Sequence, residues 1–352
     1  MSTVLEYFPG ANTPGGFFSY YHNILTPAEN NRMYIVKGGP GTGKSTFMKK
    51  LGTRAKEKGY DVELLHCSSD PDSLDGVTVR ELGISVIDGT SPHVCDPIVP
   101  GAFDEILNFG DFFDTNKLAK DKDSIIKLQN SISTCFKDAY TYLSAANSIC
   151  VKCCRHINAD INIHAINAAL SSIINEIDLS AAFGSGNAKD FFLSGITPLG
   201  LINYIQTFAD VADKIYVIKN DIHADVSLLF NTVANIMRKQ NIDGYIFYCP
   251  MSPSDKIEHI YIPALKTFIT SSNRFHTVPD SNADVYDIAL IANYTPSDIA
   301  DDEEFFSKMI SYASECVKKA KSLHDKLEES YVSAMNFDSL NEYSKNLINS
   351  II

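Results

Sequence analysis

The chain has 352 residues, a formal net charge of −13, and 45% hydrophobic and 21% charged residues. It is long enough for two ordinary domains with proper cores. The acidic balance disfavours a broad nucleic-acid interface, which needs clustered Lys and Arg, and no apolar run reaches the roughly 18 residues of a membrane span. Eight cysteines, behind an N-terminus without the basic and apolar blocks of a signal peptide, point to reduced thiols and a cytoplasmic location.

In chain order, Thr13-Pro14 precedes an aromatic, helix-like run. Residues 33–37 (MYIVK) then predict a short buried strand. Gly38, Gly39, Pro40, Gly41, Thr42, Gly43, Lys44 and Ser45 follow, matching G-x-x-x-x-G-K-[ST], the phosphate-binding loop. Residues 46–58 carry Phe47, Met48, Leu51 and Ala55 at helical spacing. Strand, glycine loop and helix are the context the motif needs. Glycines let the backbone approach phosphate closely. The loop amides form an anion nest, and the first helical turn, from Thr46 on, adds unpaired N–H groups and the positive end of its dipole. Lys44 supplies a charge at the β- and γ-phosphates, and Ser45 a hydroxyl for Mg²⁺. The expected ligand is a nucleoside triphosphate, with ATP and Mg²⁺ as the cofactors.

Residues 61–67 (DVELLHC) predict a second strand and 68–75 (SSDPDSLD) a loop with three carboxylates, Asp70, Asp72 and Asp75. Loops at the carboxyl ends of parallel strands line ligand crevices. Asp70, nearest the strand end, is therefore the candidate to orient an attacking water, against a plain reading as a polar turn with capping aspartates. Residues 82–88 (LGISVID) form an apolar strand ending in Asp88, the pattern of a carboxylate that holds Mg²⁺ opposite Ser45. Glu81 sits at the far end of that strand and suits a structural role. Lys44, Asp70 and Asp88 are thus the catalytic candidates. Thr90 or Ser91 could sense the γ-phosphate, while His93 suits a structural role.

Residues 125–177 read as a long helical pattern carrying Cys150, Cys153, Cys154 and His156. The three thiols share a helical face and His156 points away, so packing is preferred over metal binding. Residues 178–187, with Gly184-Ser185-Gly186, are the linker candidate.

The chain then repeats itself. Residues 33–67 align with 215–249 without a gap, pairing Tyr34 with Tyr216, Lys37 with Lys219, Ser45 with Ser227 and Cys67 with Cys249. Pro71 meets Pro253, and 81–93 meets 264–276 after a one-residue insertion. Upstream, Thr197-Pro198 answers Thr13-Pro14, and the helical block 143–177 aligns with 317–351. The second copy has lost the chemistry: Gly38, Gly43 and Lys44 become Asn220, Asp225 and Val226, and Asp88 meets Ser271 or Thr270. It predicts a like fold without a triphosphate site, serving as a scaffold, as a dimerisation partner, or closing over the first site. His276 repeats His93, and Arg274 could reach across to the first site. Residues 295–304 form an acidic turn into the last helical region, 303–351.

The predicted fold is α/β: two tandem P-loop NTPase-like modules with mainly parallel sheets, and helical segments that can pack as a bundle. The divisions are 1–120, 121–185, 186–300 and 301–352. The loop 38–45, HCSSDPDSLDG (66–76), IDGTSPH (87–93) and the tandem layout together resemble a little-characterised bacterial family of duplicated P-loop proteins, described as ATPases or nucleotide-kinase-like. The resemblance covers nearly the whole chain and implies ATP. Members of that family can carry two intact loops, and this chain departs from them in its second half. Three readings follow: an Mg²⁺-dependent ATPase, a small-molecule or nucleotide kinase with its acceptor near 70–75, and a non-catalytic ATP switch or scaffold. A protein partner or acceptor is unidentified, and a homo-oligomer is compatible with the sequence.

Overall fold

The structure is a computed structural model describing residues 2–27, 31–91, 94–221, 223–278, 283–293 and 299–352. It is α/β, with two six-stranded mixed sheets and, among the described residues, nine α-helices. Pro92 and His93, and residues 295–298 of the acidic turn expected at 295–304, lie outside the described residues; from Ala300 on that stretch is helix and not turn.

The front sheet contains β1 (Val4–Tyr7), β4 (Arg32–Lys37), β5 (Val62–Cys67), β6 (Asp70–Val79), β7 (Ile84–Asp88) and β8 (Asp104–Asn108), in the order β1-β5-β6-β7-β4-β8. Five strands run one way; β6 alone is antiparallel to its neighbours. The rear sheet contains β9 (Ala188–Phe191), β12 (Lys214–Lys219), β13 (Gly244–Cys249), β14 (Ser252–Ile262), β15 (Thr267–Ser272) and β16 (Asp284–Asp287), in the order β9-β13-β14-β15-β12-β16 with the same directions. The aspartate-rich stretch expected as a loop is therefore the start of β6. From Gly76 to Thr78 β6 pairs on both sides, with β5 and β7, and is buried throughout.

The element after each glycine or glycine-like loop is a helix: α1 (Lys44–Glu57) in front and α6 (Ser227–Lys239) behind. α1 buries Phe47, Met48, Leu51 and Ala55 as one stripe. It ends where Gly59 takes φ +90° and the Tyr60 amide reaches back to the Ala55 carbonyl at 3.1 Å.

The runs after Thr13-Pro14 and Thr197-Pro198 are not helical. They are the second strands of two β-hairpins, β2 (Gly10–Thr13) with β3 (Gly16–Ser19) and β10 (Ser194–Thr197) with β11 (Gly200–Asn203). Thr13 and Thr197 close the two turns identically, each hydroxyl donating to the carbonyl three residues on, at 2.7 and 2.8 Å.

Two long helices, α3 (Lys122–Asp160) and α8 (Ala300–Ser333), lie antiparallel along each other over a core of Ala139, Leu143, Ala313 and Val317. Each breaks at the aligned position. Asn162 caps α4 (Ile163–Glu176) by accepting from Ala165 N at 3.1 Å, and Asn336 caps α9 (Phe337–Ile351) by accepting from Ser339 N at 3.2 Å. The hairpins so formed cross over. α4, which follows the front sheet in sequence, packs on α6 and on α7 (Ile288–Ala292) of the rear sheet, and α9 packs on α1 in front.

The two sheets meet along β1 and β9. Phe8 and Phe192 exchange backbone hydrogen bonds at 2.9 and 3.0 Å. Tyr7, Phe191, Phe208, Tyr245 and Phe247 pack around them with ring centroids 4.6–6.4 Å apart. Buried Glu63 ties this seam. It accepts from Tyr7 at 2.7 Å, from Tyr245, and from Arg80 through two nitrogens. Burial alone would raise Glu63, but Arg80 and the two phenols hold it below the ordinary carboxylate value.

Candidate functional site

The loop 38–45 leaves the end of β4 and enters α1. Gly43 sits at the helix N-cap with φ +84°, a conformation that lets the amides before it turn inward. The amides of Gly39, Gly41, Thr42 and Gly43 donate no hydrogen bond to the described residues. The Thr42 hydroxyl stabilises the turn by donating to the Gly39 carbonyl at 2.8 Å. Lys44, 9% exposed, folds back over the loop with Nζ 3.2 Å from Gly38 O, 2.8 Å from Gly39 O and 3.6 Å from Asp88 Oδ2. Ser45 Oγ accepts from Leu74 N at 3.0 Å, which leaves a lone pair for a cation. Thr46 is exposed on the first turn.

β7 lies beside β4 in parallel register, Val36 opposite Asp88, so the Asp88 carboxylate reaches Lys44. Its Oδ1 accepts from the backbone and hydroxyl of Thr90, and Oδ2 faces the ammonium. Thr90 thus orients Asp88. Glu81 accepts from Asp61 N at 3.0 Å, as a structural residue at the far end would.

Of the three carboxylates in 70–75, Asp70 is tied up, accepting from Ser73 Oγ at 2.8 Å and lying 3.5 Å from Lys321 Nζ of α8. Asp72 is exposed. Asp75 is different. In the β5–β6 ladder Leu65 pairs with Gly76 and His66 with Leu74, so Asp75 is an extra, bulged residue. A bulge re-aims its side chain. The β6–β7 ladder ends at Gly76 opposite Ile87, the neighbours of Asp75 and Asp88. Burial, then the charges of Asp75, raise both the Tyr21 phenol and the Cys67 thiol well above their ordinary values, and Asp88 adds to the effect on Tyr21. A register break within a strand leaves no short sequence signature, so the aspartate nearest the expected strand end stood out instead.

The outer face of the loop is covered by the end of α8 and by α9. A Cβ on Gly39 would lie 2.4 Å from the Tyr331 ring, so only glycine lets Tyr331 seat there. Glu328, Val332 and Leu340 approach the next turns of the loop. Such contacts between distant segments were not readable from the motif.

The aligned rear loop is closed on itself. Asn220, in the place of Gly38, accepts from Ala224 N at 2.9 Å and donates to Ala224 O at 2.6 Å. Asp225 N donates to Asn158 of α3 at 3.0 Å, and Asp225 in turn accepts from Ser227 N at 2.9 Å. His223 N, aligned with Gly41, donates to the Asn220 carbonyl at 3.3 Å, so the amides aligned with Gly41, Thr42 and Gly43 are all used. Arg274 pairs with Glu303 at 2.7 Å, in the rear half.

Other chemistry-bearing groups gather behind this loop. Glu258, the aligned partner of Asp75, is again a bulged residue, between the Phe247–His259 and Tyr248–Ile257 pairs. Glu258, His259 and His276 are all buried and bring one ligand atom each within 4.8 Å of one another. Burial holds His259 down to about 3, and His276 below its ordinary value. Burial opposes the Glu258 charge, but Lys256 and the two imidazoles hold it at about 2. The second group of this kind is His324, Asp325 and Glu328 on α8, and neither group includes Cys150, Cys153 or Cys154. Those thiols pack along α3: Cys153 is buried, and Cys150 is hydrogen-bonded to Cys154.

No family model, curated protein or solved structure matches the chain.

Proposed function

We propose that this chain is a tandem P-loop NTPase-like protein that binds Mg²⁺-ATP on residues 38–46 and hydrolyses it, with a duplicated rear module that carries no nucleotide. The observation that carries the reading is the contrast in backbone amides: undonated at Gly41, Thr42 and Gly43, and at Gly39 beside them, but consumed at the aligned His223, Ala224 and Asp225. Buried or half-buried donors without partners at a helix N-terminus favour an anion. The residues fit the rest of the ligand. Lys44 has an ammonium to transfer from the loop carbonyls to a γ-phosphoryl group. Ser45 and Asp88 would hold Mg²⁺, which when bound neutralises charge on the β- and γ-oxygens. Asp75 takes the water-orienting role in place of Asp70, because it is buried, next to the end of the β6–β7 ladder, and acts with Asp88 on the same Tyr21 phenol, whereas Asp70 is engaged by Lys321 and Ser73. The same engagement of Asp70 weighs against the kinase reading, whose acceptor was to sit there.

Phosphate release from ATP tests this. Asp75→Asn and Asp88→Asn should each lower turnover by about 100-fold, the usual reach of acid–base and metal-positioning groups, while Lys44→Ala removes binding. The contacts of Tyr331 and Glu328 with the loop favour a second reading, in which nucleotide acts as a switch on α8. That reading gains if both asparagine variants leave turnover unchanged and Lys44→Ala still abolishes binding. Unimpaired ATP binding by Lys44→Ala contradicts both.

A further inference from the structure

We propose that the rear half holds a divalent transition-metal ion of the zinc class on Glu258, His259 and His276. The bulge at Glu258 turns its carboxylate to the side where His259 projects, although the two are consecutive on β14. Consecutive strand residues otherwise face opposite ways. The imidazole rings of His259 and His276 lie 5.0 Å apart, edge to face.

The hydrogen bonds around His259 set it up as a ligand. Thr270 Oγ1 lies 2.7 Å from His259 Nδ1 and 3.2 Å from the Ser271 carbonyl; with its hydroxyl turned to that carbonyl it accepts from His259 Nδ1–H. Nε2 is then the lone-pair nitrogen, and it is buried without a hydrogen-bond partner, in a residue only 1% exposed. An orienting bond on one ring nitrogen and a free lone pair on the other is the usual state of a metal-bound histidine. An orphaned buried acceptor otherwise costs free energy. His276 Nε2 meets Ser271 Oγ at 3.1 Å and Asn273 Nδ2 at 3.5 Å. Two imidazoles and a carboxylate are a zinc donor set that leaves a fourth position open.

The front half shows what changed. Asp75, Gly76 and Asp88 there align with Glu258, His259 and Ser271 here. The bulged carboxylate is retained, glycine has become an imidazole, and the metal-holding aspartate has become the serine that contacts His276. Lys256, half-exposed, lies 3.1 Å from Glu258 and competes with a cation for it.

The test is cobalt and zinc titration of the full chain after chelator treatment. We expect one Co²⁺ per chain with visible d–d bands of low-coordinate geometry, displaced by one Zn²⁺. Lys44→Ala should bind metal unchanged, which separates this site from the nucleotide reading. Glu258→Gln and His276→Ala should weaken affinity at least tenfold, with circular dichroism reporting the fold, and Lys256→Met should tighten it. Absence of Co²⁺ and Zn²⁺ binding by the unmodified chain at tens of micromolar metal overturns the proposal. So does binding that Glu258→Gln and His276→Ala leave intact, as metal on His324, Asp325 and Glu328 would.

Discussion

The two aligned loops, 38–45 and 220–227, occupy the same place in two sheets of identical strand order, yet they dispose of their backbone donors in opposite ways. In front, Gly38 has no side chain to reach the amides, and Lys44 bridges back to two carbonyls. Behind, the Asn220 carboxamide clasps Ala224 through both its ends, and Asp225 turns onto Ser227. A loop of this shape concentrates unpaired N–H groups at a helix start, and those groups must meet an anion, water or a side chain. Side chains satisfy the rear loop, Asn220 and Asp225 from within it and Asn158 from α3. Departure from the motif is thus also a gain of hydrogen bonds within the protein.

The halves differ most sharply toward acid. His259 is neutral in the fold, with its proton affinity depressed to about 3, whereas an unfolded histidine takes its proton near 6.5. Between those values the unfolded state binds the extra proton, so stability is present above pH 6.5 and is lost as pH falls toward 3, on the order of 5 kcal/mol for this group. His276 and Glu258 act with the same sign, Glu258 below its unfolded value of about 4.3. Hydrogen exchange of the metal-free chain at pH 4–5 should show β14 and β15 opening before β4 and β7, and His259→Gln should reduce the difference. Earlier opening of the front sheet would break the comparison.

Lys44→Ala should abolish detectable ATP binding, because the charge-assisted bonds to the phosphates are lost. Val226→Lys, its mirror change, should confer no binding, because Asn220 and Asp225 still hold the amides. Fluorescent-nucleotide titration checks both. Asn220→Gly should destabilise the chain by about 2 kcal/mol through the unsatisfied Ala224 amide and carbonyl, read by denaturant unfolding. If it instead creates a second nucleotide site, the clasp alone was the barrier. The smallest effects are expected at the two matched caps: Asn162→Ala and Asn336→Ala should each cost about 1 kcal/mol. Asn336→Ala should also loosen Leu340 from the front loop, and Asn162→Ala should leave ATP affinity unchanged.

What could be read from the residues followed local chemistry. The strand, glycine loop and helix around residue 40 were legible from spacing, and so were the aligned β13 and α6. The helical repeat was legible as an aligned block, 143–177 with 317–351, read as continuous; its breaks fall at Asn162 and Asn336, on the same register. Three features were not. The hairpins after Thr13 and Thr197 look helical from Phe17, Phe18, Leu201 and Ile202 alone, since short apolar runs have no decisive period. The bulges at Asp75 and Glu258 depend on a neighbouring strand. The crossing of α4 onto α6 and α9 onto α1 depends on the packing of α3 along α8, which no local pattern specifies. Tyr331 over Gly39 and the Glu258–His259–His276 group both follow from such long-range pairings.

The most direct measurement is the stoichiometry of Mg²⁺-ATP by isothermal calorimetry on the intact chain. One equivalent, abolished by Lys44→Ala and unaffected by Asn162→Ala, is the predicted result. Two equivalents, or one that persists without Lys44, would contradict the assignment of the nucleotide to the front loop alone.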